Sequence, residues 1–192
     1  MSGPPLILAS GSPRRRELLR EMGVHFEVVV PPVKEIDPAT TKLTPAEFAV
    51  ANARLKADGG ELVLPCFWIL GADTVVALEG RIFGKPGSME EAGDFLRALS
   101  GRTHEVITGV ALLSPEGEME TLYDVSHVTF HALSEEVIAR YLGEVHVLDK
   151  AGGYALQERG EWIVASVEGS RANVIGLPVE KLSGLFRAHG LA

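Results

Sequence analysis

The chain predicts an α/β fold on two observations. Strand-like and helix-like segments alternate along it, and several of the helix starts carry explicit capping signals. No repeat, low-complexity tract or linker interrupts the pattern, so residues 1–192 read as one domain. That length suffices to bury a core without disulfides or metals.

Leu6 to Ala9 reads as a short buried strand. A helix follows from Pro13, with Ser12 as N-cap, Leu18, Leu19 and Met22 on one face, and Gly23 as its stop. Phe26 to Val30 is the next strand. Thr44-Pro45-Ala46-Glu47 combines a capping box with proline at the first helical position, predicting a helix to about Lys56. Leu62 to Leu78 holds strand material, and Glu79-Gly80 turns the chain into Arg81-Ile82-Phe83. Ser88-Met89-Glu90-Glu91 is a second capping box, before Ala92, Phe95, Leu96 and Leu99 on one helical face.

Val106 to Leu113 and Val125 to Ala132 read as antiparallel partners around Pro115-Glu116-Gly117. Ser134 caps a helix bearing Val137, Ile138, Tyr141 and Leu142 that closes at Gly143. The chain ends in a strand-like run from Trp162 to Val167 and a helix from Pro178 carrying Leu182, Leu185 and Phe186.

Hydrophobic residues make up 46% and charged residues 23%, an ordinary globular balance. The formal net charge of −8 speaks against general nucleic-acid binding but not against a small phosphate ligand. Cys66 is the single cysteine and, in the apolar run Cys66-Phe67-Trp68-Ile69-Leu70, reads as a small core residue. Leu6-Ile7-Leu8-Ala9 is too short for a signal peptide and no segment is long enough to span a bilayer, so a cytoplasmic protein is expected.

Three clusters carry chemistry. Ser10-Gly11-Ser12-Pro13-Arg14-Arg15 joins a strand to a helix N-terminus, where free N–H groups and the helix dipole favour an anion. Arg14 and Arg15 add fork-shaped donors suited to phosphate, although arginine is electrostatically wrong for that end of a helix. A bound phosphate resolves the conflict; pairing with a carboxylate such as Glu17 is the alternative. Asp73 interrupts the apolar run around Gly71-Ala72-Asp73-Thr74-Val75-Val76, a costly place for a carboxylate unless it is paired or functional. It is a candidate general base or metal ligand, against a structural salt bridge. Glu35 and its competitor Asp37 lie in a proline-bounded loop and are further acidic candidates.

Lys56, Lys85 and Lys150 are isolated cations able to reach a polyphosphate, or plain surface lysines. Gln157 could read a base edge. Gly84-Lys85-Pro86 does not complete a P-loop, and neither a G-x-G-x-x-G run nor a nucleophile elbow is found. His127 and His131 would sit roughly 13 Å apart on one strand face, too far for a shared metal.

Several blocks together resemble the Maf family of nucleotide pyrophosphatases. They are Leu8 through Leu19, Leu55-Lys56-Ala57, Gly71 through Val76, Gly84-Lys85-Pro86, Leu99 through His104, Asp149-Lys150-Ala151-Gly152, Gln157, and Asn173 through Pro178. The resemblance implies a Maf/ITPase-like α/β fold, with a central mixed, twisted sheet flanked by helices and a cleft between two lobes. It implies hydrolysis between the α and β phosphates of a nucleoside triphosphate, of the dTTP/UTP type. It implies a divalent metal as well: magnesium, with manganese or cobalt as alternatives.

The family's general base falls on Asp73. Its phosphate and metal contacts fall on Ser10, Arg15, Glu35, Lys56 and Lys85, with Ser12 expected to join the phosphate cradle. Arg14, Thr74 and Gln157 match the branch preferring dTTP and UTP. One departure is Lys34, which stands before Glu35 where an acidic residue is common. Relatives are also linked to septum formation, so the alternatives are a nucleotide-binding regulator of cell division with weak turnover and a pyrophosphatase of the 7-methyl-GTP type. A homodimer is compatible with the resemblance; nucleic acid and membrane are not expected as partners.

Overall fold

The computed structural model describes residues 5–63 and 66–191. Its strands are β1 (Leu6–Ala9), β2 (Phe26–Val29), β3 (Trp68–Leu78), β4 (Arg81–Phe83), β5 (Thr103–Leu113), β6 (Met119–Phe130) and β7 (Val164–Glu168). They form one mixed sheet in the order β2-β1-β3-β5-β6-β7, with β4 pairing to β3. The helices are α1 (Pro13–Glu21), α2 (Pro45–Val63), α3 (Met89–Leu99), α4 (Glu135–Glu144), α5 (Arg171–Ile175) and α6 (Val179–Ala188).

The caps act as their sequences predict. Ser12, Ser88 and Ser134 each accept an N–H from the first turn of α1, α3 and α4, and Thr44 and Glu47 exchange the bonds of a capping box. In the second box Glu91 instead reaches Gly87 N–H, one residue outside the cap.

Helix α2 covers one face of the sheet, against Ile69, Val75 and Ala77 of β3 and Ile107 and Ala111 of β5. On the other face α1 and α6 cover Leu70, Ala72, Val110 and Leu112. Helices α3 and α4 cover Val76, Val106 and Val128 further along the same face. The buried Phe95, Leu96 and Leu99 of α3 each contribute roughly 1.5–3 kcal/mol of hydrophobic stabilisation.

Several expectations are corrected. Helix α2 runs past Lys56 to Val63, because Gly59 and Gly60 are packing positions and not breaks. A Cβ on Gly59 would lie 2.9 Å from Pro31, and one on Gly60 2.7 Å from Ile69. Leu62 and Val63 are therefore helical and the strand starts at Trp68; Leu64 and Pro65, also assigned to that strand, lie outside the described residues. Cys66 is exposed with φ 68°, in the turn leading into β3 and not in the core. Gly143 lies within α4, which ends at Glu144. Strand β6 starts earlier and stops at Phe130, and the run expected from Trp162 begins as a 3-10 turn before β7. The short helix α5, capped by Ser170, had no apolar periodicity to announce it.

The ladder leaves one gap. Along one edge of β3, β1 pairs with Trp68 to Leu70 and β4 with Val76 to Leu78. Residues 71–75 are unpaired on that edge, just where β1 ends and the chain leaves for α1. Open α/β sheets place ligands in crevices of this kind, outside the carboxyl end of a strand.

Candidate active site

A cleft of about 450 Å³ opens at this gap, and Ser10, Ser12, Arg14, Arg15, Glu35, Lys56, Asp73, Thr74, Lys85 and Gln157 all line it. The volume falls in the range of small-ligand sites. Asp73 points to the α2 face of β3 and Thr74, one residue on, to the other. Both reach the cleft because no strand closes that edge. Arg14, Arg15, Lys56, Lys85 and Lys150 outnumber Glu35, Asp73 and Asp149 in the lining, so the cleft is locally cationic on an acidic protein.

The three arginines at the start of α1 take different partners, and Arg14 takes a carboxylate, as the alternative to a bound phosphate has it. Arg15 is buried, and donates Nε–H to Gly176 O at 2.9 Å, Nη1–H to Ser10 Oγ at 3.1 Å and Nη2–H to Thr74 Oγ1 at 3.0 Å. A guanidinium has five N–H donors, so one remains uncommitted on each terminal nitrogen. Burial presses the Arg15 pKa below its ordinary value, with Asp73 opposing and Arg14 adding to the effect. Ser10 Oγ also accepts from Ser12 N–H at 3.2 Å, which leaves its own proton free to donate. Arg14 pairs with Asp149 at 3.5 Å and Arg16 with Gly11 O at 2.9 Å. None of the three pairs with Glu17.

On the opposite wall, Lys56 Nζ donates to Asp73 Oδ1 at 2.7 Å and to Ala72 O at 3.3 Å, and forms an ion pair with Glu35 Oε1 at 3.0 Å. Two carboxylates and a backbone carbonyl thus surround the ammonium group. Burial raises the Glu35 pKa, but the charge and hydrogen bond of Lys56, with Lys85 and Arg15 behind them, outweigh it and hold Glu35 below its ordinary value. Asp37 turns away: its Oδ1 accepts Ala39 N–H at 2.8 Å within its own loop. The loop charge that faces the cleft is therefore Glu35.

Asn52 joins this wall unannounced. It is 1% exposed, donates Nδ2–H to Asp73 Oδ2 at 3.2 Å, and accepts Ile36 N–H on Oδ1 at 2.9 Å. One side chain therefore orients Asp73 and ties down the loop bearing Glu35. The signal was present in the sequence, since Phe48, Asn52 and Lys56 recur every four residues along the buried side of α2.

The remaining wall holds Gln157 and Lys85, both exposed at the rim and without an ion pair or side-chain hydrogen bond among the described residues. Their segments are pinned instead. Gly152 N–H donates to Gly84 O at 3.0 Å, joining the two loops. Tyr141 Oη accepts Ala155 N–H at 3.0 Å and donates to Ala155 O at 3.3 Å, so one buried phenol satisfies both backbone groups two residues before Gln157. Lys150 is buried and bridges Asp149 at 3.0 Å and Glu158 at 3.3 Å, so it is no plain surface lysine. His127 and His131 are exposed and away from the cleft.

No cluster of three or more His, Cys, Asp or Glu side chains suited to a metal occurs among the described residues. Glu35 and Asp73 nevertheless converge on one point, where they already share a positive charge. Two carboxylates completed by phosphate oxygens and water are a usual donor set for magnesium, so the residues present fit such an ion.

No helix among the described residues is long and apolar enough to cross a membrane. The profile of the family described as Maf-like protein matches residues 5–189. A protein of Akkermansia muciniphila named dTTP/UTP pyrophosphatase is 49% identical over 176 residues, covering 92% of each chain. One of Nitratidesulfovibrio vulgaris with the same name is 42% identical over 192 residues, covering 97% of this chain and 88% of its own. Among solved structures, the Ham1 protein of Staphylococcus aureus shares the fold at a TM-score of 0.52 and 14% identity, covering 96% of this chain and 98% of its own.

Proposed function

The chain belongs to the Maf family, and on that premise we propose that it hydrolyses dTTP and UTP to the nucleoside monophosphate and pyrophosphate. The observation that carries this reading is the pairing of two walls across one cleft. One is a phosphate cradle from Ser10 to Arg15, and the other a carboxylate pair held by Lys56 and Asn52. The names of the relatives supply the nucleotide preference. We assign the activity to free nucleotides in the cytoplasm, in keeping with the formal net charge of −8.

In this mechanism the two uncommitted N–H groups of Arg15, the free proton of Ser10, and the Arg14 and Lys85 side chains bind the triphosphate. Asp73 accepts the proton of a water molecule as its oxygen bonds to the α phosphorus. The bond from the α phosphorus to the bridging oxygen breaks, and that oxygen leaves with pyrophosphate. Lys56 and Asn52 keep the Asp73 carboxylate aimed, and the cationic side chains stabilise charge gathering on the leaving group. Glu35 and Asp73 would hold a divalent cation, magnesium first, with manganese or cobalt as substitutes. When bound, the ion neutralises phosphate charge and favours departure of pyrophosphate. Gln157 faces the base, where its amide can match the N3–H and a carbonyl of thymine or uracil.

A panel of nucleoside triphosphates with magnesium and pyrophosphate detection tests the proposal. Pyrophosphate and monophosphate should appear together, fastest from dTTP and UTP. Orthophosphate as first product rejects it, and tight binding without turnover supports a nucleotide-binding regulator instead.

A further inference from the structure

Behind Arg15 runs a chain of hydroxyls whose proton directions are fixed at both ends. At the far end, the carbonyl of Asn173 can only accept, and Thr108 Oγ1 donates to it at 3.0 Å. Thr108 is fully buried and has a single hydroxyl proton. Its 2.9 Å contact with Thr74 Oγ1 must therefore be one in which Thr74 donates. At the near end, a guanidinium can only donate, so Arg15 Nη2–H gives to Thr74 Oγ1. The order Arg15, Thr74, Thr108, Asn173 carbonyl admits one arrangement of protons.

We propose that Thr108 is a positioning residue for Arg15, acting through Thr74, and that Thr74 serves the cleft by aiming this guanidinium. The idea rests on reading the cleft as a triphosphate site. It narrows what Thr74 can do for a nucleotide: its proton is committed, so it can offer a ligand only a lone pair. It also gives α5, whose Val174 and Ile175 line the cleft, a polar link to the site. Asn173 holds Arg15 through the two threonines, and Gly176, three residues on, accepts Arg15 Nε–H directly. These bonds, with that from Nη1–H to Ser10 Oγ, fix the plane of the guanidinium at the cleft wall and leave one N–H on each terminal nitrogen uncommitted. Asn173 is itself anchored, its Nδ2 donating to Val106 O and to Ser126 Oγ, each at 3.0 Å.

The test uses Thr108→Val, which keeps the shape and removes the hydroxyl, with Thr74→Val, the double variant and Thr108→Ser. Calorimetric binding of inorganic tripolyphosphate is measured on the full chain, beside kcat and KM for dTTP. Thr108→Val should weaken tripolyphosphate binding about tenfold and raise KM more than it lowers kcat, since a hydrogen bond to a charged group is lost at one remove. Thr108→Ser should rescue binding. The double variant should bind no more weakly than Thr74→Val, because both cut the same chain. Wild-type binding by Thr108→Val, losses that multiply in the double variant, or failure of serine to rescue would each overturn the proposal. So would a wild-type protein that does not bind tripolyphosphate. Binding that follows the expected pattern in a protein releasing no pyrophosphate would sustain the proposal and reject the pyrophosphatase reading alone.

Discussion

Replacing Asn52 by leucine removes the neutral group that joins Asp73 to the Glu35 loop, while keeping the branching and number of side-chain heavy atoms. Two bonds disappear: Ile36 N–H loses its acceptor at 2.9 Å, and Asp73 Oδ2 loses its donor at 3.2 Å. The first is a partly buried backbone group left without a partner, worth roughly 1–3 kcal/mol. In a chain of 192 residues, each kcal/mol lowers the melting temperature by about 2–4 °C, so a fall of roughly 2–12 °C is expected. The second bond goes to a charged acceptor but is long, which places it near the low end, about 1.5 kcal/mol. Lys56 still pairs with Asp73 Oδ1 at 2.7 Å, so the carboxylate stays in place and loses only its orientation. The loss should fall on kcat, about tenfold, with KM for dTTP little changed. Steady-state pyrophosphate release at several temperatures below the melting point separates the two effects. If kcat/KM stays within threefold of wild type, Asn52 does not orient the reacting carboxylate and the assignment of the α2 wall is wrong.

Asp73→Asn should lower kcat by at least about a hundredfold, as expected for loss of a general base, without unfolding the chain; near-normal turnover with magnesium would dismiss Asp73 from the chemistry. Removing divalent ions with EDTA should abolish pyrophosphate release and re-addition of magnesium restore it, whereas full activity in EDTA would exclude the Glu35–Asp73 metal assignment. Burial pushes the His104 imidazole down to about 4, so this group stabilises the fold fully above its unfolded pKa near 6.5 and progressively less as pH falls towards 4. About 3 kcal/mol is at stake, and His104→Phe should flatten the stability slope between pH 6.5 and 4 in denaturant melts; an unchanged slope would reject it. Tyr141→Phe leaves Ala155 N–H and C=O without their phenol partner, and should raise KM for dTTP several-fold while narrowing its advantage over dCTP, measured as a ratio of kcat/KM values.

What could be foreseen divides by the range of the forces involved. Ser12, Thr44, Ser88 and Ser134 act within a single turn, so the residues around them suffice to read their helix starts. Asp73 stood out because a carboxylate in an apolar strand demands an explanation wherever the strand lies. The last turns of α2 were missed because Gly59 and Gly60 offer no local helix signal, and only the folded chain shows Pro31 and Ile69 pressing against them. Cys66 misled, its apolar neighbours hiding a turn. Asn52, Thr108 and Tyr141 take their roles from partners 14 to 65 residues away, and only the folded sheet brings these together.

The spacing between Asp73 and the α2 side chains that hold it has an origin that contains no charge. A Cβ on Gly71 would fall within 2.8 Å of Ala57 N, and one on Gly109, paired across the ladder from Asp73, within 2.6 Å of Ala49 O. Helix α2 therefore rests backbone on backbone against β3 and β5. Hard-core repulsion changes over tenths of an ångström, while the attraction between Lys56 and Asp73 falls off only gently with separation. The helix height is set by the steeper force, and the polar groups inherit its tolerance. A single methyl group on either glycine would lift α2 and carry Asn52 and Lys56 away from the carboxylate together. In engineering terms, the glycines are the shims to which the reactive centre is machined.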